Sequence, residues 1–504
     1  MASEMAITSE LDLSSFKAMG AAKSRRVTIN PENTASFSST SSTTDVYFTL
    51  PSGKFSFING QNSYLAFDVT ADLRIPSAVT LGTGGTAYAT GATTLRIANG
   101  SASSFIRTLE VQMQSQSVEL LDKYDVFAAI VEDAQGLSRA SSVASVTMGA
   151  APPTAGAASI TTGLKSATAL TYKCGADLFN GQTSPAVGTA FTAGGVTLRV
   201  CIPLYSSTLG TMAQQHLPAA DGIRLRLAFQ PSEIPLVLRS AATITSATAG
   251  ASIPWDIRYN VSNMALQMDY LDVVPEVYMQ LVNEAGGVLR QHGTAVANFG
   301  TTISANSTFA SLLIPARYSS LKSYMSCFRL SAGTTSIYAN SCGDRIYPAL
   351  NDYVYRIDGK NYPSVPVRCG SAGVATCGES MMEVIKCFHA LHSAQFDLVF
   401  NFGDYGLKTI TSGAGSAAIP YPTPADATAG GNLGNLCGSF VIGLDFEQDS
   451  AGKAVISGLD TNSSNTYLDL NTSGIAPNVV ADTFALYDLI VEYSVSDGVV
   501  SFSK

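Results

Sequence analysis

The sequence predicts an all-β protein made of two tandem antiparallel sandwiches, with short helices in the connections. Three observations lead to this fold class. Period-two alternation of apolar residues recurs along the chain and is typical of half-buried strands. The second half of the chain repeats the order of elements found in the first half. Charged residues make up only 13% of the 504 residues, about half of the usual globular share.

The clearest strands lie between residues 196 and 229. Apolar residues occupy every second position from Val196 to Leu204 and again from Ile223 to Phe229. The polar connection between them contains Gly210 and Pro218 and is too long for a tight hairpin, so the two strands need not be neighbours in one sheet. This behaviour is typical of an eight-stranded jelly-roll sandwich.

We expect the chain to divide into four segments. The first 41 residues are rich in Ser, Thr and Ala and lack a periodic apolar face, which favours a flexible arm. A short helical stretch that ends at Gly286 and Gly287 separates the two halves. The predicted boundaries are an N-terminal arm at 1–41, a first jelly-roll at 42–275, a linker at 276–290 and a second jelly-roll at 291–504.

Each predicted jelly-roll contains one helix and long loops of small residues. In the first half a period of 3.6 begins at Glu119 and places Tyr124, Phe127 and Val131 on one face. In the second half ESMMEVIKCFHALH has the same period, about as far from its opening strand. Loops rich in Ala, Ser, Gly and Thr are predicted at 72–102, 134–195 and 411–436.

The second half follows the plan of the first. It opens with IPARYSSLKSYMSCFRL, and DYVYRIDGKNY carries a hairpin signal at Asp358 and Gly359. Alternating strands follow at 396–402 and 440–446. The last strand, at 485–495, mirrors a strand at 265–274. This shared order indicates two β-domains of similar plan.

Composition excludes several classes of function. The net charge of −9 argues against a chain that binds nucleic acid over its whole body. There is no run of eighteen uncharged apolar residues, and the acidic N-terminus differs from a signal peptide, so we expect a chain that is cytosolic or nuclear when made. Eight scattered cysteines without a C-x-x-C pair are expected to remain thiols.

No catalytic, cofactor-binding or metal site is predicted. Cys387, His389 and His392 fall within one and a half turns of the second helix, which suggests either a metal site or a structural helix face. We favour the helix face because no fourth ligand stands at a recognisable spacing. Glu447 and Asp449 are interpreted as a solvated turn rather than as a catalytic pair.

A basic group near the N-terminus leaves two interpretations open. Lys17, Lys23, Arg25 and Arg26 lie within the predicted arm. They either form a solvated tail or make a weak, salt-sensitive contact with an acidic partner.

Several stretches resemble the double jelly-roll major capsid proteins of virophages, polinton-like viruses and adintoviruses, and more distantly those of large DNA viruses and the adenovirus hexon. The resemblance rests on their shared order along residues 45–495. The stretches are TLPSGKFSFINGQNSYLAF, IPLYSSTLG followed by GIRLRLAF, IPARYSSLKSYMSCFRL, and SFVIGLDFE with ISGLDTNSSNTYLDLN.

The resemblance implies a major capsid protein that forms homotrimeric, pseudo-hexameric capsomers of an icosahedral DNA virus shell. It also implies location in the virion after synthesis in the host cytoplasm, with neighbouring capsomers, penton proteins and minor capsid proteins as partners. In this context the basic arm would contact the genome, an internal membrane or a minor capsid protein on the inner side of the shell, and it would be needed for assembly rather than for folding. The alternative from another class is a jelly-roll module that binds carbohydrate or a receptor, as in fibre heads and lectins. An enzyme of the cupin type would need converging His and Glu residues, and the sequence offers only four histidines.

Overall fold

The structure is a computed structural model, and strands dominate the residues that it describes. The described residues are 22–33, 36–40, 44–74, 93–98, 101–136, 147–149, 174–181, 197–213, 215–230, 234–240, 256–334, 342–343, 345–369, 377–388, 398, 405, 439–447, 458–474 and 478–504.

The first half contains strands β1 to β13 and helix α1, which spans Tyr124–Ala134. A 3-10 helix at Ala102–Phe105 precedes β6. The strands are β1 (Ala22–Ile29), β2 (Phe37–Ser38), β3 (Asp45–Thr49), β4 (Ser56–Arg74), β5 (Thr93–Ala98), β6 (Ile106–Met113), β7 (Gln116–Leu121), β8 (Cys174–Gly181), β9 (Leu198–Pro203), β10 (Leu217–Pro218), β11 (Ile223–Phe229), β12 (Leu236–Ser240) and β13 (Asp256–Val273).

The second half begins after helix α2 (Pro275–Glu284) and contains helix α3 (Gly378–Cys387). A 3-10 helix follows β16 at Ser331–Gly333. The strands are β14 (Val288–Ile303), β15 (Phe309–Ile314), β16 (Leu321–Leu330), β17 (Leu350–Ile357), β18 (Lys360–Arg368), β19 (Val441–Asp445), β20 (Thr466–Thr472), β21 (Val479–Ser494) and β22 (Val500–Ser503).

Both halves have the jelly-roll strand order. In the first half, β1, β13, β4 and β9 lie side by side in one sheet, and β3, β11, β6 and β7 form the facing sheet. In the second half the corresponding orders are β14, β21, β16, β19 and β15, β20, β17, β18. In each sandwich the first of these eight strands pairs with the last, and the second pairs with the seventh. The chain is therefore a double jelly-roll.

Alternation along the strands explains how the two sheets of each sandwich are held together. In β11, Ile223, Leu225 and Leu227 are fully buried, whereas Arg224 and Arg226 point outward to carboxylates. The predicted strands at 196–204 and 223–229 correspond to β9 and β11, which lie in different sheets as expected. Most core residues of both halves belong to one hydrophobic cluster, so the two sandwiches are packed against each other.

The hairpin predicted in the second half is present. Strands β17 and β18 pair in antiparallel register, and Ile357 faces Lys360 across the turn. The turn residues Asp358 and Gly359 have φ values of 51° and 73°, as a two-residue type I′ turn requires. The Asp-Gly pair therefore sets the register of these two strands.

The N-terminal boundary differs from the sequence-based expectation. A flexible arm was predicted over residues 1–41, whereas β1 pairs with β13 along its whole length, from Ala22 opposite Val273 to Ile29 opposite Leu266. The first jelly-roll thus begins at Ala22 rather than at residue 42. Only Val27 and Ile29 are apolar in its last four positions, which is too few to show an alternating pattern.

Three further boundaries also shift. Helix α1 begins at Tyr124, because residues 116–121 complete β7 before the helix starts. The linker is mostly α2, and β14 already begins at Val288, ahead of the predicted boundary at 291. Within the stretches predicted as surface loops, β5 and β8 pair with each other and, with β12, form a third sheet. The predicted loop at 411–436 and most of the predicted strand at 396–402 lie outside the described residues.

Candidate assembly interface

Helix α1 fills the junction between the two sandwiches. Every residue of this helix is buried except the half-buried Val131. The ring of Phe127 contacts Phe484 of β21, with 5.4 Å between ring centroids. A helix that is buried on all sides needs apolar or small side chains all round, and YDVFAAIVEDA supplies them apart from its acidic residues. The first sandwich therefore covers the outer face of the sheet that contains β21.

Strand β14 lies against the segment 206–215 of the first sandwich. The side-chain amide of Gln291 donates hydrogen bonds to the carbonyl oxygens of Thr208 (3.1 Å) and Gln215 (2.9 Å). A Cβ atom on Gly293 would lie 2.3 Å from the carbonyl oxygen of Ser207, so glycine is needed for this close approach. The seam between the sandwiches is thus formed by backbone as well as by side chains.

A buried carboxylate stabilises the loop at residues 206–208, which packs against β14. Glu119 of β7 accepts hydrogen bonds from the hydroxyl of Ser206 (2.6 Å), the backbone amide of Ser207 (2.8 Å) and the hydroxyl of Thr208 (3.1 Å). Burial raises the pKa of the Glu119 carboxyl, and these donors act in the opposite direction. Glu119 therefore fixes the loop conformation on which the Gly293 contact depends.

Two buried ion pairs lie at the same junction. Asp133 of α1 accepts a hydrogen bond from the guanidinium of Arg345, which is fully buried. Arg329 of β16 pairs with Asp482 of β21, and both side chains are almost completely buried. Removing one partner of such a pair typically costs about 3–5 kcal/mol, because the other charge is left buried. The Arg345 pair therefore helps to specify how the two sandwiches fit together.

The thiol of Cys342 donates to Asp125 of α1 at 3.2 Å. Asp125 is buried, and this burial raises the pKa of its carboxyl, while the nearby guanidinium of Arg329 opposes the shift. Thus both acidic ends of α1 contact residues of the second sandwich. The helix therefore makes both polar and apolar contacts at the junction between the two sandwiches.

The C-terminus adds a further contact across the seam. The side chain of Gln114, in the β6–β7 turn, donates to the carbonyl oxygen of Gly498 and accepts from the backbone amide of Val500 at 3.0 Å. The ammonium of Lys504 lies 3.5 Å from the carbonyl oxygen of Ser117. The end of the chain therefore follows the β7 side of the first sandwich.

The seam joins two different sides of the jelly-roll. We name them by the order of the eight jelly-roll strands in each half. The fifth-strand side carries β7 in the first sandwich and β18 in the second. The first-strand side carries β1 in the first sandwich and β14 in the second. Within the chain, the fifth-strand side at β7 meets the first-strand side at β14. Such a contact between unlike surfaces is heterologous. It leaves two counterpart surfaces, one at β1 and one at β18.

Both counterpart surfaces are open in the described part of the chain. On β18, the side chain of Val365 is 64% exposed, and Met382 on the adjacent helix α3 is 46% exposed. On β1, Arg25 and Arg26 are exposed, whereas the equivalent strand β14 buries Gln291 and Gly293. The chain therefore has two unlike open sides that match the two sides already joined within it.

Three of the four basic residues identified in the sequence, Lys23, Arg25 and Arg26, lie on β1. Arg25 forms an ion pair with Asp272 at 2.7 Å, and Arg26 forms one with Asp269 at 2.9 Å. These arginines stabilise the β1–β13 pair, so the expectation that they belong to a flexible arm is wrong for both. Lys17 lies outside the described residues.

The candidate metal ligands do not form a site in the described residues. The thiol of Cys387 is buried and lies 3.7 Å from the carbonyl oxygen of Tyr324, while His389 and His392 fall outside the described ranges. Among the residues that can be described, no three His, Cys, Asp or Glu side chains are placed to hold a metal ion. Glu447 pairs with the buried Lys322 at 2.9 Å, so it is not in a solvated turn.

Sequence reasoning missed the buried charges of the seam. No prediction was made for Asp125, Glu132 and Asp133, because acidic residues usually lie on a solvated face. The available signal was the helix itself: VFAAIV leaves no polar face on which those carboxylates could reach water. The pairing with Arg345 gave no sequence signal, because more than two hundred residues separate the partners.

None of the helices in the described residues combines the length and the apolar character that a membrane span requires.

Comparison with known proteins gives structural matches only. No family model matches the sequence, and no curated protein matches it. The fold is similar to that of the mavirus major capsid protein, with 11% identity, a TM-score of 0.49, and coverage of 95% of this chain and 90% of that chain. It is also similar to the faustovirus major capsid protein, with 8% identity, a TM-score of 0.49, and coverage of 93% and 90%.

A chain of the Sputnik virophage is similar as well, with 10% identity, a TM-score of 0.49, and coverage of 95% of this chain and 88% of that chain. The structural neighbours are thus major capsid proteins of virophages and large DNA viruses. For the present chain, the double jelly-roll is defined by its own strand order.

Proposed function

We propose that this protein is the major capsid subunit of an icosahedral virus and that it acts as a homotrimer. The observation that carries the proposal is the heterologous seam. The chain joins the fifth-strand side of one sandwich to the first-strand side of the next and leaves one copy of each side open. A second chain placed by the same rule covers the open β18 side with its own β1 side.

Repetition of this contact closes a ring when three chains supply six sandwiches. A closed ring leaves neither side unpaired, whereas an open row of subunits leaves one side of each kind exposed at its ends. The ring has six similar sandwiches at its corners and tiles a hexagonal lattice, which is what a shell subunit must do. The resemblance of the sequence to double jelly-roll capsid proteins and the 13% share of charged residues support this role.

The proposal places the protein in the virion after its synthesis in the host cytoplasm. Its partners are two further copies of itself within the capsomer, neighbouring capsomers, and penton and minor capsid proteins. Each new subunit contact is expected in the obligate class, above about 2,000 Å² of total buried area. The role is structural and uses no catalytic group or cofactor.

Light scattering after gel filtration tests the oligomeric state, and electron microscopy tests the shape. We expect a particle of three times the 52.6 kDa chain at micromolar concentration, with a hexagonal outline. A stable monomer would contradict the proposal. A discrete oligomer of another size that binds glycans on an array would favour the carbohydrate-binding alternative instead.

A further inference from the structure

A second hydrophobic cluster lies apart from the main core, around helix α2. We call it the linker cluster. Its buried members are Val273, Tyr278, Val282 and Leu289, and its half-buried members are Phe55, Phe57, Leu271, Val277, Leu281, Tyr493 and Val495. Most of its side chains are thus only partly covered, which is the reverse of the main core.

The partly covered side chains form a connected surface. The ring of Tyr278 packs against Phe55 and Phe57, with centroid distances of 5.4 Å and 5.8 Å. At its margin, Val274 is 43% exposed and Met279 is 52% exposed. A continuous apolar surface of this kind marks a binding site more often than scattered exposed residues do.

The chain enters the described structure beside this cluster. Ala22, the first residue of β1, pairs with Val273, a buried member of the cluster and the residue before the N-cap of α2. Residues 1–21 therefore connect to the fold at the edge of the linker cluster. The position of their attachment does not depend on the oligomeric state of the protein.

Residues 1–21 contain the apolar side chains that a segment covering the linker cluster requires. Leu11, Leu13, Phe16 and Met19 are apolar, and the last three recur every third residue, as on one side of a helical turn. Phe16 stands six residues before Ala22, which gives a reach of about 20 Å in extended conformation. Helix α2 has ten residues and is about 15 Å long, so Phe16 can reach any part of it. Met19, three residues before Ala22, has a reach of about 10 Å and can contact the first turns of the helix.

We propose that the linker cluster is a docking site for the N-terminal segment of the same chain, with Leu13, Phe16 and Met19 packed on helix α2 beside Val274 and Met279. The docked segment covers the half-buried aromatic side chains and holds α2 in place. This inference is independent of the capsid role, since it concerns contacts within one chain.

Photo-crosslinking of the full-length protein tests the occupant directly. Phe16 is replaced by p-benzoylphenylalanine, the protein is irradiated, and crosslinked peptides are mapped by mass spectrometry. We expect crosslinks to residues 271–289 or 54–57 in a band that migrates as a single chain. A crosslinked dimer band would show that a second copy occupies the site, and crosslinks elsewhere in the chain would also overturn the proposal.

Hydrogen exchange gives a second measurement that needs no crosslink. In Phe16→Ser/Met19→Ser, amides of residues 278–284, the first of which donates to the Val274 carbonyl oxygen, should exchange at least tenfold faster than in the unmodified protein. Met5→Ser serves as the matched control, because it also removes an apolar side chain from the N-terminal segment but leaves the docking residues intact. Equal exchange in all three proteins would overturn the proposal.

Discussion

Glu132 is a buried side chain whose protonation depends on pH in the neutral range. Its carboxylate accepts hydrogen bonds from Ser103 (2.6 Å) and Ser101 (3.1 Å), and it is fully buried in α1. Burial raises the pKa of Glu132 to about 7, and these hydroxyl donors only partly offset that rise. The folded protein therefore keeps this proton in a pH range where the unfolded chain releases it.

The pH dependence of stability follows from that difference. Because the folded pKa is raised, the contribution of Glu132 is fully favourable below the ordinary glutamate pKa of 4.5 and is lost as pH rises toward about 7. We expect Glu132→Gln, measured by urea unfolding, to gain stability relative to the unmodified protein between pH 5 and pH 8. The upper limit of this relative gain is about 3 kcal/mol.

An exposed glutamate provides the control for this prediction. Glu276→Gln on α2 removes the same charge from a solvated position and should leave the pH profile unchanged. Burial also raises the pKa of Glu119 and Asp125, so part of the pH dependence remains in Glu132→Gln. Parallel profiles for Glu132→Gln and the unmodified protein would show that Glu132 does not titrate in this range.

Gly293 provides a separate test of the seam. Alanine at this position would bring a Cβ atom to 2.3 Å from the Ser207 carbonyl oxygen, so backbone must move. We expect Gly293→Ala to lower the free energy of unfolding by about 1–3 kcal/mol, the usual cost of overpacking. Gly378→Ala, at the start of α3, would place its Cβ atom more than 4 Å from any neighbouring atom and should be nearly neutral in the same denaturant titration.

Among the elements, strands with strict alternation could be predicted and those with mixed pattern could not. β9 and the first five residues of β11 bury every second side chain, so their sequence period equals their structural period. β1 was missed because its outward positions carry Lys and Arg and its pairing partner is more than two hundred residues away. Helix α1 was placed too early because Leu120 and Leu121 fit the helical period but belong to β7.

The assembly surfaces were less predictable than the strands. The sequence gives the number of sandwiches and their similarity, and the resemblance to capsid proteins implies their use. It does not reveal that β7 meets β14, since this contact depends on how the two sandwiches turn relative to each other. Buried charges such as Asp133 follow from the same arrangement and are equally hidden in the sequence.

The N-terminal strand can be tested by two deletions. Removing residues 2–20 leaves every described strand intact, whereas removing residues 2–29 also deletes β1, its eight paired positions with β13 and the buried Ile29. We expect the longer deletion to melt roughly 5–10 °C below the shorter one, a loss of a few kcal/mol. Equal melting temperatures by differential scanning calorimetry would mean that β1 contributes nothing to the fold.

For the whole molecule, the proposed ring predicts different effects at two exposed apolar positions. Val365 lies on the open fifth-strand side, while Phe309 lies on β15 at the opposite edge of the same sheet, with exposed fractions of 64% and 57%. Val365→Asp places a charge in the proposed subunit contact, where a desolvated carboxylate is strongly unfavourable. Light scattering should then show monomers for Val365→Asp and trimers for Phe309→Asp.

Similar loss of trimer in both variants would argue against the assigned sides, because the effect would then not be specific to β18. Retention of the trimer in Val365→Asp would place the subunit contact away from β18. Phe309→Asp should keep the melting temperature of the unmodified chain, since its side chain does not belong to the core. Val365→Asp should melt at a lower temperature, because it loses the stabilisation that subunit association provides.

The short connection through α2 has a kinetic consequence. Only three residues, 285–287, separate the end of this helix from β14, so the two sandwiches of one chain are held at an effective concentration of the order of millimolar. Their encounter is therefore intramolecular and does not slow down when the protein is dilute. Ring closure, in contrast, requires the association of three separate chains, and its rate falls steeply as the protein is diluted. Early in synthesis, while copies are few, the chain would complete its internal seam and wait as a two-sandwich unit until enough copies accumulate.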